Sequence, residues 1–271
     1  MQCNQLQDLV LSGVRWELSD VPFAMAQSAA VAAANRASRP APVVTDAVVP
    51  DVVPDSPAPL RAATAIVPPI APEVGVTIQT ARAMAARPTD IAALARMIAE
   101  FGHPLRSAAT NVVLPHIAPN PNGLVIITDI PSANDDARGE ILTGAAGELL
   151  DKMLAAIGMS RECVSILPMV FWRTPGGRTP SRNELDLARP FVDRALEFLS
   201  PRLILTLGTL PATEIADVNL ARAHGVVADT KIGVKCMPIF HPNYLLLKPT
   251  AKRDAWNALQ QIQNLLKSAD K

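Results

Sequence analysis

Two titratable residues stand where chemistry is easiest to place: Asp129, directly after the apolar run LVIIT, and His241, directly after VKCMPIF. A carboxylate and an imidazole brought to one place suit general acid, general base or electrostatic work on a bound substrate. Basic residues flank them. Residues 163–183 hold three arginines (Arg173, Arg178 and Arg182) and no acid, and residues 231–253 hold five basic residues and no acid. Residues 129–151 instead carry six acids against Arg138. A basic rim around an acidic centre fits a phosphate-bearing partner held by local contacts. The other histidines, His103, His116 and His224, show no metal-ligand spacing and are read as surface or capping residues. Cys3, Cys163 and Cys236 are too few and too scattered for a disulfide framework or a zinc site, and are read as buried free thiols.

Positioning such groups requires strands whose ends converge. Thr89 and Asp90 offer an N-cap for a helix bearing Ile91, Leu94, Met97 and Ile98 at helical spacing, ending near Gly102 and Pro104. Strands are predicted over residues 124–128, 164–170, 203–207 and 234–240. Between and after them come a helix bearing Leu149, Leu150, Met153, Leu154 and Ile157, stopped at Gly158, and helices over residues 184–199, 210–216 and 252–266. This alternation predicts a three-layer α/β/α sandwich around a central four-stranded parallel sheet. Ligands bind beyond the carboxyl ends of such strands, where Asp129, Pro168, Gly208 and His241 emerge.

The domain so predicted fills residues 81–271 of the 271-residue chain. Residues 29–80 read as a Pro/Ala-rich disordered linker, with nine prolines between positions 38 and 72. Residues 1–28 carry a short amphipathic element (Leu6, Leu9, Val10, Val14 and Trp16), a candidate docking segment for a protein partner. The formal charge of zero, 25 basic against 25 acidic residues, excludes affinity for polyanions set by bulk charge. It conceals a net of −3 over residues 1–80 and +3 over the remainder. Apolar runs fall far short of the roughly 18 to 20 residues that span a bilayer, and no basic start with an apolar run opens the chain. A cytoplasmic monomer without membrane contact is expected.

The strongest motif is His241-Pro242-Asn243-Tyr244-Leu245-Leu246, which resembles the H-P-x-Y-L-L motif of the uracil-DNA glycosylase superfamily, in particular its bacterial and archaeal family-four branch. Asp129-Ile130-Pro131-Ser132, with Asp135 and Asp136, resembles that family's G-E-x-P-G motif and the acids after it. Gly139, Gly144 and Gly147-Glu148-Leu149-Leu150 match its G-x-P-F-V-G-x-x-G-x-L-L stretch, and residues 172–180 look like its R-P-P-x-N-R-x-P loop. The likeness runs from about residue 89 to residue 266, and the order of several motifs makes it more specific than any one of them.

The resemblance implies excision of uracil or another deaminated base flipped out of DNA, by hydrolysis of its N-glycosidic bond. It implies His241 as the donor to the departing base and Asp129, at the family's glutamate position, as the group that orients water or stabilises the sugar cation. The implied base pocket is Pro131, Ser132, Leu142 and Pro168; the implied DNA contacts are Arg173, Arg178 and the loop of Pro242, Asn243, Tyr244, Leu245 and Leu246, with the two leucines as a wedge. Leu142 replaces the family's stacking aromatic residue and Pro168 its base-reading asparagine, so discrimination among bases should fall. At the positions of its four cluster cysteines stand His103, Arg106, Phe171 or Trp172, and Ala188, so no iron-sulfur cluster is expected. Trp172 is open to two readings, stacking on a base or covering the core. The alternatives are a DNA-binding relative that has lost excision and a small-molecule hydrolase on a similar sheet.

Overall fold

In the computed structural model of the protein, which describes residues 76–268, the chain enters through two helices whose starts are fixed by side chains. Thr77 accepts from the Thr80 N–H to open α1 (Ile78–Ala86), and Asp90 accepts from the Ala93 N–H at 2.7 Å to open α2 (Ile91–Glu100). The first of these corrects the expected boundary: α1 starts inside the last residues assigned to the linker, because Ala81 and Ala85 are buried in the core. The rest of that linker and the amphipathic element of residues 1–28 lie outside the described residues.

The alternating part follows as β1 (Leu124–Thr128), α3 (Ala133–Arg138), α4 (Gly144–Ala156), β2 (Ser165–Pro168), α5 (Arg182–Leu199) and β3 (Leu203–Leu207). It continues as α6 (Thr209–Ala216), α7 (Leu220–Ala223), β4 (Ala228–Asp229), β5 (Lys235–Ile239), α8 (Pro242–Leu247) and α9 (Lys252–Ser268). The strands lie in the order β2-β1-β3-β5-β4, making five rather than the four expected. Four are parallel, and the two-residue β4 pairs antiparallel with β5.

Strand alternation divides the interior into two cores. Val125, Ile127, Leu167 and Ile204 meet Ala81, Leu94, Ala188 and Phe191 on one face. Leu124, Ile126, Ile166 and Leu205 meet Leu150, Leu154, Leu259 and Ile262 on the other. Both faces are therefore covered by helices, and the central strands read as continuous apolar runs for that reason. At the β2 edge, His116 exchanges backbone hydrogen bonds with Ile166 (2.9 and 2.8 Å), and the Ala118 N–H donates to Ser165 Oγ. Among the described residues no helix is long and apolar enough to cross a membrane.

Candidate active site

The carboxyl ends of β1, β3 and β5 open onto a cleft of about 680 Å³. Asp129, Ile130 and Pro131 form one wall, Thr209, Leu210 and Thr213 of α6 a second, and His241, Asn243 and Tyr244 a third. His241 is the N-cap of α8, and its Nδ1 accepts the Asn243 N–H at 3.1 Å. A ring nitrogen that accepts carries no proton, so the neutral ring bears its hydrogen on Nε2, which donates to Thr128 Oγ1 at 3.1 Å. Burial lowers the His241 pKa to about 4, against the opposing pull of the Asp135 charge, so the ring is neutral at physiological pH.

Asp129 is moved the other way by the same cause. Burial raises its pKa to about 6, while the Leu210 backbone N–H favours the ionised form. Gly208, between β3 and α6, backs directly onto this carboxylate. Its φ is +105°, and a Cβ there would collide with Asp129 Oδ2, so a glycine is required twice over. Its own N–H donates to the Ile239 carbonyl at 3.0 Å, tying the β3 and β5 ends together. The result is a neutral donor and an ionisable acid at the mouth of one cleft.

Of the residues singled out from sequence, Asp129, Pro131, Ser132, Arg173, His241, Asn243 and Tyr244 line this cleft. Leu142 and Pro168 do not. Leu142 is buried in the core, with φ +51° and its carbonyl held by the Arg161 guanidinium at 2.6 Å; Pro168 is the buried last residue of β2. Pro242 is buried as the first residue of α8, and Leu245 packs inward beside Leu149, Met153 and Leu259. Of the wedge pair, Leu246 is exposed, and the neighbouring Leu247 is the more exposed at 82% and reaches the cleft. Arg178 is committed elsewhere: it grips Glu184 with two hydrogen bonds of 2.8 and 2.6 Å and holds that carboxyl down at about 2. Arg182 likewise pairs with Asp186 and Glu214. Arg173 makes no ion pair among the described residues and faces the cleft.

Sequence reasoning missed Thr128 and Leu210, and reached Leu247 only as the end of the loop matched from Pro242, not as part of the wedge, although it continues the apolar run of α8. Thr128 had a weak signal, a hydroxyl ending an otherwise apolar strand.

Two of the positions matched to cluster cysteines, His103 and Phe171 or Trp172, lie in an aromatic block. Trp172 is fully buried and stacks on His103 (centroids 4.5 Å apart, planes at 9°), with Phe101, Phe171 and Phe191 around it. Trp172 therefore covers the core. His103 is buried, which corrects its reading as a surface residue, although it does cap: Nδ1 accepts the Leu105 N–H and Nε2 donates to the Glu184 carbonyl at 2.9 Å. Arg106 binds the Ala99 and Phe101 carbonyls, and Ala188 has no donor atom. These residues do not fit an iron-sulfur cluster: no thiolate is offered, one candidate is a cation, and both nitrogens of the imidazole are spent on the backbone. Cys163 and Cys236 are buried in separate cores, one on each face of the sheet.

The sequence profile of the uracil DNA glycosylase superfamily matches residues 114–260. The chain is 30% identical over 170 residues to a type-4 uracil-DNA glycosylase of Archaeoglobus fulgidus, covering 59% of this chain and 85% of that one. It is 31% identical over 140 residues to one of Pyrobaculum aerophilum, covering 48% and 71%. With one of Thermotoga maritima the identity is 32% over 142 residues, covering 51% and 71%.

Proposed function

The chain belongs to the uracil-DNA glycosylase superfamily, and from that premise we propose that it is a DNA glycosylase, hydrolysing the N-glycosidic bond of uracil or another deaminated base flipped out of DNA. The observation that carries the proposal is the pairing of a neutral His241, its proton fixed on Nε2, with an Asp129 carboxylate at the mouth of one cleft. When the bond between C1′ and the base nitrogen breaks, its electron pair leaves on the base. The Nε2–H of His241 stabilises the negative charge that grows on a base carbonyl. Ionised Asp129 stabilises the sugar cation and orients the water that adds to C1′; the proton this water sheds neutralises the base anion.

Pro131 and Ser132 wall the site, Arg173 contacts phosphate, and Asn243 and Tyr244 face the strand as the exposed Leu246 and Leu247 replace the lifted base. Buried Leu142 and Pro168 present neither a ring nor an amide to the base, so base selection is relaxed. The same reading includes work without an iron-sulfur cluster, as a monomer, in the cytoplasm, with residues 1–28 serving a protein partner.

Oligonucleotides carrying one uracil, hypoxanthine or xanthine, treated with the protein and then alkali, are expected to break at the modified position. His241→Ala and Asp129→Asn are expected to slow the break by about 10²-fold or more. Intact strands with retained salt-sensitive DNA binding would overturn the enzyme and favour a binding relative; neither cleavage nor binding would overturn the nucleic-acid reading altogether.

A further inference from the structure

The last residue of β1 has no part in the chemistry described so far. Thr128 is buried and in register with Pro168 on β2 and Leu207 on β3, and Leu207 in turn with Ile239 on β5. Strand alternation puts it on the same face as Leu124 and Ile126, above the core closed by α4 and α9. Along this row of Pro168, Thr128, Leu207 and Ile239, Oγ1 is the only polar side-chain atom, and its partner is His241 Nε2 at 3.1 Å. Because Nδ1 already accepts the Asn243 N–H, the hydroxyl receives the one hydrogen the neutral imidazole can give.

We propose that Thr128 is a positioning residue for His241, a latch whose hydroxyl holds the Nε2 hydrogen until a carbonyl of the base takes its place. The consequence for turnover rests on the glycosylase reading; the latch itself rests on geometry alone. Binding of the base then exchanges one hydrogen bond for another and gains little from it. In return, the free protein never carries an unpaired buried donor, and the ring waits with its proton already aimed at the strand ends. A hydroxyl suits this duty because it rotates and can turn to a second partner once the proton has moved away.

Thr128→Val keeps nearly the same volume and removes the latch, and Thr128→Ser keeps the latch. Nitrogen-15 spectra of the full chain should show the His241 ring with its hydrogen on Nε2 in wild type and Thr128→Ser. In Thr128→Val, that hydrogen should shift and exchange faster with solvent. In the cleavage assay, free uracil should inhibit Thr128→Val at about three- to tenfold lower concentration than wild type. A residue that only supported the fold would move inhibition the opposite way or not at all. Thr128→Ala provides a second test should the valine variant fold poorly. Unchanged His241 ring signals in the hydroxyl-free variants overturn the latch, as does inhibition no tighter than wild type where cleavage occurs. If wild type cleaves nothing, the glycosylase reading fails, and the ring signals alone decide the latch.

Discussion

The same two-residue device, histidine followed by proline, is used at opposite ends of the molecule's chemistry. At His103-Pro104 and at His241-Pro242 the imidazole caps a short helical turn, and in both Nδ1 accepts the N–H two residues on at 3.1 Å. The local sequence thus fixes the tautomer in both places. The second nitrogen differs. That of His103 meets the Glu184 carbonyl, a fixed acceptor, while the ring stacks on Trp172 inside a closed core. That of His241 meets a hydroxyl at the edge of an open cleft. One histidine is finished and the other is available, and the distinction comes from what the fold packs around them.

Alanine at each site separates the two cases most sharply. His241→Ala should reduce cleavage by about 10²- to 10³-fold while costing only about 1 kcal/mol of stability, the loss of one helix cap. His103→Ala should cost about 3 kcal/mol of stability, read from denaturant unfolding, while each folded molecule keeps its turnover. Neighbours in one helix extend the contrast. Leu245→Ala should lose about 2–4 kcal/mol as a core truncation. Leu247→Ala should leave stability within about 0.5 kcal/mol of wild type and weaken binding to duplex DNA carrying a modified base.

The pH behaviour sharpens the active half. Cleavage that needs ionised Asp129 and neutral His241 should fall as pH drops through about 6, where the carboxylate is protonated first, and not near 4. Stability carries the opposite signature for the acid. The Asp129 pKa is raised on folding, so its contribution is full below the unfolded carboxylate value and is lost as pH rises through about 6. Asp129→Asn should therefore stabilise the protein by on the order of 2 kcal/mol at pH 7 and by almost nothing at pH 3. The smallest effect concerns the arginines. Arg173→Gln should flatten the salt dependence of DNA binding by about one counterion, and Arg178→Gln should leave that slope unchanged while freeing Glu184.

What could be read in advance was local or periodic. The cap read at Thr89 and Asp90 shows how few residues fix a helix start, since Asp90 does open α2, and the central strands announced themselves as apolar runs. The His-Pro motif marked its cleft because the chain must turn directly after β5. The two residues of β4 have no period to detect. Arg178 looked free because its partner, Glu184, read only as the start of a helix; in the fold that carboxylate caps α5 and binds the guanidinium together. Leu142 matched a pocket position through the family resemblance. In the fold it is buried instead, its carbonyl clamped by Arg161 and packed close to Gly147, where a Cβ would collide with it.

The two margins of the sheet have a meaning beyond the fold. A parallel sheet left open would offer rows of unpaired backbone groups to any other chain in a crowded cell. Here the β2 margin is met by His116 and Ala118, and the β5 margin ends in a strand only two residues long that runs the opposite way. Among the described residues, strand-by-strand growth into fibrils thus has no long template on either side of the sheet.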